Sequence, residues 1–460
     1  MEQTFKSFRS WLDQAVFIRV LVIGFVIILL QIPISMIENQ IYERQSTKTK
    51  AIKEVSAKWG GTQIIVGPKL VIPYIKTTTY TNANGKAEIS KTKHYATFLP
   101  DTFNAQSKVT NKTRYRGIFK VPLYQAQITI DGHYSKPDFS SLGIDNKTVL
   151  WDEAELVVQV SDARAIQQQV YLKWNGRSLP FEPGLGKTRQ KGYGFHLPLK
   201  SLPDTKTYQF SINLLLNGSE RLYLTPLGKD STIQISANWP DPSFQGNWLP
   251  VKRTIDRKGF AATWKIPYIS RNFSQSWLND NFNETLLSQA AIGVDFISPV
   301  NNYRMAVRSI KYAFVFLLLT FGTMWLIEVI SRHKVHLIQY LFIGLGMSFF
   351  YLLLVSFSEH ISFGWSYSIA SIAVIVMVTA YSKTALKTGK RALVIGSGIT
   401  LLYGYLYTLL QEQNYSMLIG SIGMFTALAL VMFLTRKIDW YGQQGTQEAD
   451  PKPASESNEP

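Results

Sequence analysis

The sequence contains no cysteine. That excludes disulfides, thiol nucleophiles and cysteine-based metal sites, so any part exposed to an oxidising compartment must stand on its own core. Enzyme signatures are lacking too: there is no HExxH, P-loop or Gly-x-Ser-x-Gly. Ser331-x-x-Lys334 and Lys387-Thr-Gly389 carry the letters of the serine penicillin-binding set, but both fall in short loops predicted to face the cytoplasm. Gly184-x-Gly186, Gly192-x-Gly194 and Gly344-x-Gly346 lack the strand-turn-helix setting of a dinucleotide site. His94, His133, His196, His333, His336 and His360 show no metal-ligand spacing outside the membrane. We expect no enzyme, no cofactor and no metal.

Between residues 38 and 311 there is also no apolar run long enough to cross a bilayer. Such a run needs about 20 residues, and several lie outside that insert. One covers residues 15–37; five more cover residues 312–330, 336–357, 365–381, 392–410 and 415–434. The first is too long for a cleaved signal peptide and no small-x-small site follows it, so it reads as an uncleaved anchor. Arg19, one turn inside it, is placed to snorkel to the headgroups.

Charge orients the six predicted spans. Lys6, Arg9, Arg19, Arg332-His333-Lys334, Lys383, Lys387, Lys390-Arg391 and Arg436-Lys437 fall on one side, whereas loops 358–364 and 411–414 hold no Lys or Arg. Short cytoplasmic loops carry the Lys/Arg excess. Residues 1–14 and 435–460 are therefore expected in the cytoplasm, the latter as a partly disordered tail, with 38–311 in the periplasm. Trp365, Tyr367, Tyr407 and Tyr415 are expected at the outer interface. Gly396, Gly398, Gly404, Gly420 and Gly423 are expected to admit neighbouring helices.

The insert holds 36 Lys+Arg against 21 Asp+Glu, most of the chain's formal charge of +17. A basic surface of that kind suits phospholipid headgroups, acidic polysaccharide or nucleic acid. On the periplasmic side the expected partners are the bilayer, anionic envelope components and envelope proteins, not nucleic acid. The oligomeric state is not legible. Short alternating or β-branched runs (62–66, 70–75, 121–130, 156–160, 208–216, 232–237, 259–264) are separated by Asn84-Gly85, Asn175-Gly176, Pro183-Gly184 and Asn217-Gly218. They predict a β-rich domain resembling an antiparallel sandwich. Residues 38–59 are expected to extend the first helix, and 274–287 to form a second.

Two groups are candidate functional residues. Ionisable or polar side chains within or beside spans are costly in lipid and point to function: Glu328 and His336, with Gln339 one turn on, are placed to pair, while Glu359 and His360 mark the outer end of their span. A proton or ion relay and interfacial anchoring are both open for them. The loop 236–250, rigid with proline, gathers Trp239, Phe244 and Trp248, which form either a sugar- or peptide-binding shelf or a plug on the sandwich core.

Motifs along the whole chain resemble the CreD family of Gram-negative inner-membrane proteins. They are Gly67-Pro68-x-Leu70-x-Ile72-Pro73, Asp162-Ala163-Arg164, and Asn238-Trp239-Pro240-x-Pro242-Ser243-Phe244 with Leu249-Pro250. In the helical part they are Lys311-Tyr312-Ala313, His336-x-x-Gln339-Tyr340-Leu341-x-x-Gly344-Leu345, Phe350-Tyr351, Ser358-Glu359-His360 and Phe433-Leu434-Thr435-Arg436-x-Ile438-Asp439-Trp440-Tyr441. The resemblance implies an inner-membrane product of the Cre two-component regulon, linked to envelope integrity, tolerance of E-group colicins, β-lactam response and biofilm. It implies no catalytic residue or cofactor. A non-enzymatic envelope protein is the leading expectation, with a transporter or channel for a small solute or lipid as the alternative.

Overall fold

The first apolar run continues without a break into the polar segment that follows it, giving the 58-residue helix α1 (Glu2–Trp59). The computed structural model describes residues 2–81, 86–187, 192–200, 205–278, 282–296, 302–331, 335–412 and 415–436. The turn expected at Asn84-Gly85, the Arg332-His333-Lys334 loop and the segment 437–460 lie outside these. Two compact units make up the chain: Met1–Asn39 with Asn302–Pro460, and Gln40–Asn301.

The second unit is built of strands. In chain order they are β1 (Gln63–Thr81), β2 (Ala87–Phe98), β3 (Thr102–Arg116), β4 (Phe119–Ser135), β5 (Ala154–Val160), β6 (Tyr171–Trp174), β7 (Arg177–Pro180) and β8 (Glu182–Pro183). Then come β9 (Tyr193–Leu199), β10 (Thr207–Ser219), β11 (Arg221–Leu224), β12 (Asp230–Ala237), β13 (Ser243–Gln245), β14 (Lys252–Asp256), β15 (Gly259–Pro267) and β16 (Ser276–Leu278). A short helix α2 (Thr285–Gln289) leads to β17 (Ile292–Asp295). One sheet runs β13-β17-β11-β1-β5-β9-β8, with β2 on β1 and β16 on β2; the other runs β14-β15-β12-β3-β4-β10-β6-β7.

Alternation explains the sandwich. On β10, Tyr208, Phe210, Ile212, Leu214 and Leu216 are buried while Gln209 and Asn213 between them are exposed. The inward rows of both sheets, such as Leu70, Ile72, Leu156 and Val158 against Ile128, Ile130, Ile233 and Trp264, form one shared core. The ladders are mostly antiparallel, with two exceptions: β1 lies parallel to β11 and β12 parallel to β3. At Gly67-Pro68 a bulge interrupts the β1–β5 ladder, and a Cβ on Gly67 would lie 2.8 Å from the Val158 backbone.

Three expectations need correction. Asn217-Gly218 is not a turn but lies inside β10, where the Tyr124 ring covers Gly218 and leaves no room for a side chain; the reversal follows at Glu220 (φ 60°). The helix expected over 274–287 is β16 followed by α2, because Trp277 joins β2 and the core. Asn302–Ile310, expected in the insert, is a helix grouped with the other helices.

In that helical unit follow α3 (Asn302–Ile310), α4 (Ala313–Ser331), α5 (Leu337–Ser358), α6 (Phe363–Ala385), α7 (Gly389–Gln411) and α8 (Ser416–Thr435). Among the described residues five helices, α1 and α4 to α7, are long and apolar enough to cross a membrane, and α8 contributes the shorter run Met417–Phe433. On α1 the buried stripe Ile23, Val26, Ile27, Leu30 and Ile34 keeps helical spacing, while Phe25, Ile28, Ile32 and Met36 stay exposed, as a lipid-facing side requires. Gly344 on α5 makes the approach of α1 possible, because Leu30 and Phe321 occupy the place its side chain would take. Of the glycines expected to admit neighbours, Gly396 receives Thr379 and Gly423 receives Tyr405, whereas Gly398 and Gly404 face open space.

Candidate functional site

The polar residues of the helical unit gather at its two ends. At the end where α4 leads into α5, Arg19 of α1 forms an ion pair with Glu328 of α4. The Arg19 guanidinium also donates to the Val335 carbonyl at 2.6 Å. Glu328 further accepts from the Val335 N–H at 3.2 Å and from the Tyr340 hydroxyl at 3.1 Å. The Glu328 side chain is only 7% exposed against 34% for Arg19, so the carboxylate is the more deeply buried partner. Both oxygens of an otherwise costly buried charge are thereby satisfied. Arg19 is therefore an ion-pair partner rather than a residue extended to the headgroups alone.

The expected pairing of Glu328 with His336 gives way to this arrangement. His336 caps α5 instead: its Nδ1 accepts from the Ile338 N–H at 3.3 Å, and Gln339 Oε1 accepts from the His336 N–H at 3.0 Å. This reciprocal capping box satisfies helix-end donors that the chain itself cannot. His336 and Gln339 thus act on the helix end, not on the carboxylate.

At the other end α3 ties down two helix termini. Its Asn302 side chain donates to the Ser358 carbonyl at 2.7 Å and the Tyr303 hydroxyl donates to Glu359 at 2.8 Å. Arg308 donates to the Leu409 carbonyl at 3.2 Å, placing a cation on the last turn of α7. His360 is exposed, and among the described residues it bonds through its backbone N–H, to the Phe357 carbonyl. Trp365 and Tyr415 are exposed, as interfacial rings would be. Tyr367 is not: it is buried among Phe350, Phe363, Tyr403 and Tyr407 and donates to the Tyr403 carbonyl at 2.6 Å.

In the β-rich unit the three aromatics of the proline loop are half-buried and rest on the core. Phe244 meets Phe260 and Trp264 edge-on, Trp239 meets Phe296, and the Trp248 carbonyl accepts from the Trp264 indole at 3.0 Å. Their rings pack against the end of the sandwich core. Two buried cations were not singled out in the sequence. Lys69 on β1 is fully buried against Glu284 at 3.3 Å; burial lowers its ammonium below the usual lysine range, opposed by the Glu284 charge. Arg271 donates to the Leu227 carbonyl at 2.7 Å and to Gln275 at 2.6 Å, and burial pushes it down to about 10. Both hold loops to the core.

Among the described residues no group of three or more His, Cys, Asp or Glu side chains is disposed to hold a metal ion. What the helical unit offers is a buried ion pair linking α1 to the α4–α5 hairpin, and a polar clasp at the opposite end. Comparison with known proteins gives a family. The model of the family described as "Inner membrane protein CreD" matches residues 15–441. The Inner membrane protein CreD of Escherichia coli (strain K12) is 30% identical over 418 residues, covering 90% of this chain and 91% of that protein. The chain belongs to the CreD family of inner membrane proteins.

Proposed function

We propose that this chain is a non-enzymatic, multi-pass inner-membrane protein that serves cell-envelope integrity and the envelope-stress response through its β-rich unit. The unit is periplasmic, both termini are cytoplasmic, and α8 is a sixth span. The observation that carries this reading is the division of the chain: a two-sheet unit with its own continuous core is inserted after one apolar helix, and the remaining apolar helices follow it. The loop charges supply the orientation, since Lys383, Lys387, Lys390 and Arg391 share one connection and loop 358–364 has none. Envelope proteins or anionic envelope components are the proposed partners, met by the basic surface of the insert. Colicin-tolerance phenotypes of the kind associated with the family are the natural readout.

The chain lacks cysteine, so single cysteines report sidedness cleanly. In intact cells an impermeant maleimide is expected to label Thr78→Cys but not Lys383→Cys; the reverse pattern overturns the orientation. Crosslinking through the external unit is expected to capture envelope proteins. Survival of the phenotype after deletion of residues 60–300 would sink the functional reading.

The transporter alternative places a relay at Glu328 and His336. Against it stand the neutralising contacts just described: Glu328 is matched by Arg19, Val335 and Tyr340, and His336 is committed to a helix cap. Under that alternative Glu328→Gln and His336→Gln abolish the phenotype in folded protein; under ours they leave it intact.

A further inference from the structure

The outward face of the second sheet is largely polar, and its side chains fall into cross-strand rows. Asn104, Asp131, Ser211 and Lys173 form one row across β3, β4, β10 and β6; Thr102, His133 and Gln209 form the next. Some neighbouring groups of this face bond to each other: Thr129 donates to Asn213 at 3.0 Å, Gln125 to Asn217 at 3.3 Å and Asn104 to Asp131 at 3.4 Å. At the end set by the β6–β7 turn the face is recessed. There an open groove of about 550 Å³ is lined by Asp131, His133, Lys173, Thr207, Gln209 and Ser211. Among the described residues the Lys173 ammonium, the Gln209 amide and the Ser211 hydroxyl find no protein partner, although they point into the same depression. His133 engages Thr102 through Nδ1 at 2.8 Å, leaving Nε2 for a ligand.

The geometry points to a glycan-binding groove, taking a neutral polyhydroxylated chain. The chemistry selects the class. One carboxylate (Asp131) and one ammonium (Lys173) face the same space, so the groove carries almost no net charge although the unit around it is strongly basic. A polyanion would meet the Asp131 carboxylate at the centre of its site, and an apolar ligand would strip water from every lining group without replacing it. Sugar hydroxyls donate and accept at once, which is what Asp131, Ser211, Gln209 and Lys173 require of a partner. Strand spacing of about 4.8 Å repeats these groups at intervals comparable to one pyranose ring. Tyr171, two residues before Lys173 on the same outward face of β6, is half-exposed and offers a flat ring on which the C–H face of a sugar can lie. The Asn175-Gly176 turn, both residues with positive φ, closes the rim, and Asn175 holds the Gln209 N–H at 2.8 Å.

This inference rests on the reading that the β-rich unit is the working part of the protein, and it names what that unit contacts. The test uses the full chain in nanodiscs, with chitotetraose and maltotetraose as probes, followed by saturation-transfer NMR and calorimetry. Saturable binding of at least one probe is expected. Gln209→Ala, Lys173→Ala and Tyr171→Ala should each weaken it roughly tenfold, whereas Gln106→Ala, on the same face outside the groove, should stay within about twofold. Unchanged melting temperatures show that the variants fold. Absence of saturable binding for both probes overturns the proposal, as does affinity indifferent to Gln209 and Lys173. Binding of dextran sulfate in preference to both neutral probes, strengthened by Asp131→Asn, overturns it as well. A folded protein that binds no glycan yet needs residues 60–300 for its phenotype defeats this inference alone and leaves the functional reading standing.

Discussion

Replacing Arg19 by methionine keeps the apolar stem and removes the guanidinium, leaving Glu328 with the Val335 N–H and the Tyr340 hydroxyl as its described partners. Breaking a buried ion pair from one side costs about 3–5 kcal/mol because a desolvated charge is left behind. Arg19 is 34% exposed, so the pair is only partly buried and the lower end applies, about 3 kcal/mol. A neutral hydrogen bond within a helix bundle is worth about 0.6 kcal/mol, so the remaining contacts cannot offset the loss. Replacing both partners, Arg19→Met with Glu328→Met, removes the charge altogether and should return stability to within about 1 kcal/mol of wild type, since apolar substitutes for buried pairs are often neutral or better. Reversible unfolding of the purified protein by SDS in mixed micelles, followed by circular dichroism, measures Arg19→Met, Glu328→Met and the double variant against wild type. An Arg19→Met loss under about 0.5 kcal/mol, or a double variant as unstable as the sum of the singles, would refute the claim that the pair is electrostatically coupled and buried.

Other outcomes follow from the same contacts. His336→Ala should cost about 1 kcal/mol through loss of the α5 cap, and His336→Asn should recover most of it, because asparagine caps equally well; micelle unfolding reads both. Asp101 is pushed upward by burial but held below the usual carboxylate range by Lys229 and Ser135, each at 2.6 Å. A group whose folded pKa is depressed stabilises above its unfolded value and loses that contribution as pH falls through the folded one. Asp101→Asn should therefore destabilise the β-rich unit by about 1.5 kcal/mol at neutral pH, and the gap to wild type should shrink steadily below pH 3.8 and close at lower pH; thermal melts across pH 2 to 7 check the sign. Gly344→Val drives a side chain into the space held by Leu30 and Phe321, with an expected cost of about 1–3 kcal/mol and weakened protection of α1 in hydrogen exchange.

Which parts were legible follows from the range of the forces involved. Runs of apolar residues announced the helices because lipid solvation acts on each segment alone, and α1 extends through the polar stretch 38–59 as its freedom from proline and glycine suggested. Strands with an alternating inward row, such as β10 and β12, were visible for the same local reason. β2 and β3 were not: Lys, Thr and Asn fill much of their length, and β2 from Ala87 to Lys93 has little burial to leave a pattern. Asn217-Gly218 misled because the same dipeptide suits a turn or a strand on which an aromatic ring must lie.

The candidate sites divide in the same way. Glu328, His336, Gln339 and Glu359 could be picked out individually, since a polar group beside a span is costly wherever it stands. Their partners were set by packing: Arg19 reaches Glu328 only because α1, α4 and α5 close around Gly344, and Tyr303 reaches Glu359 only because α3 lies across the helix end. By itself the sequence determined the alternation of apolar and polar segments, the absence of cysteine chemistry, and the family. Only the tertiary structure decided which charges neutralise each other, that Trp239, Phe244 and Trp248 pack against the core, and that Asp131, Lys173 and Gln209, from three separate strands, share one groove. Segment properties depend on near neighbours along the chain, whereas a site depends on residues that folding alone brings together.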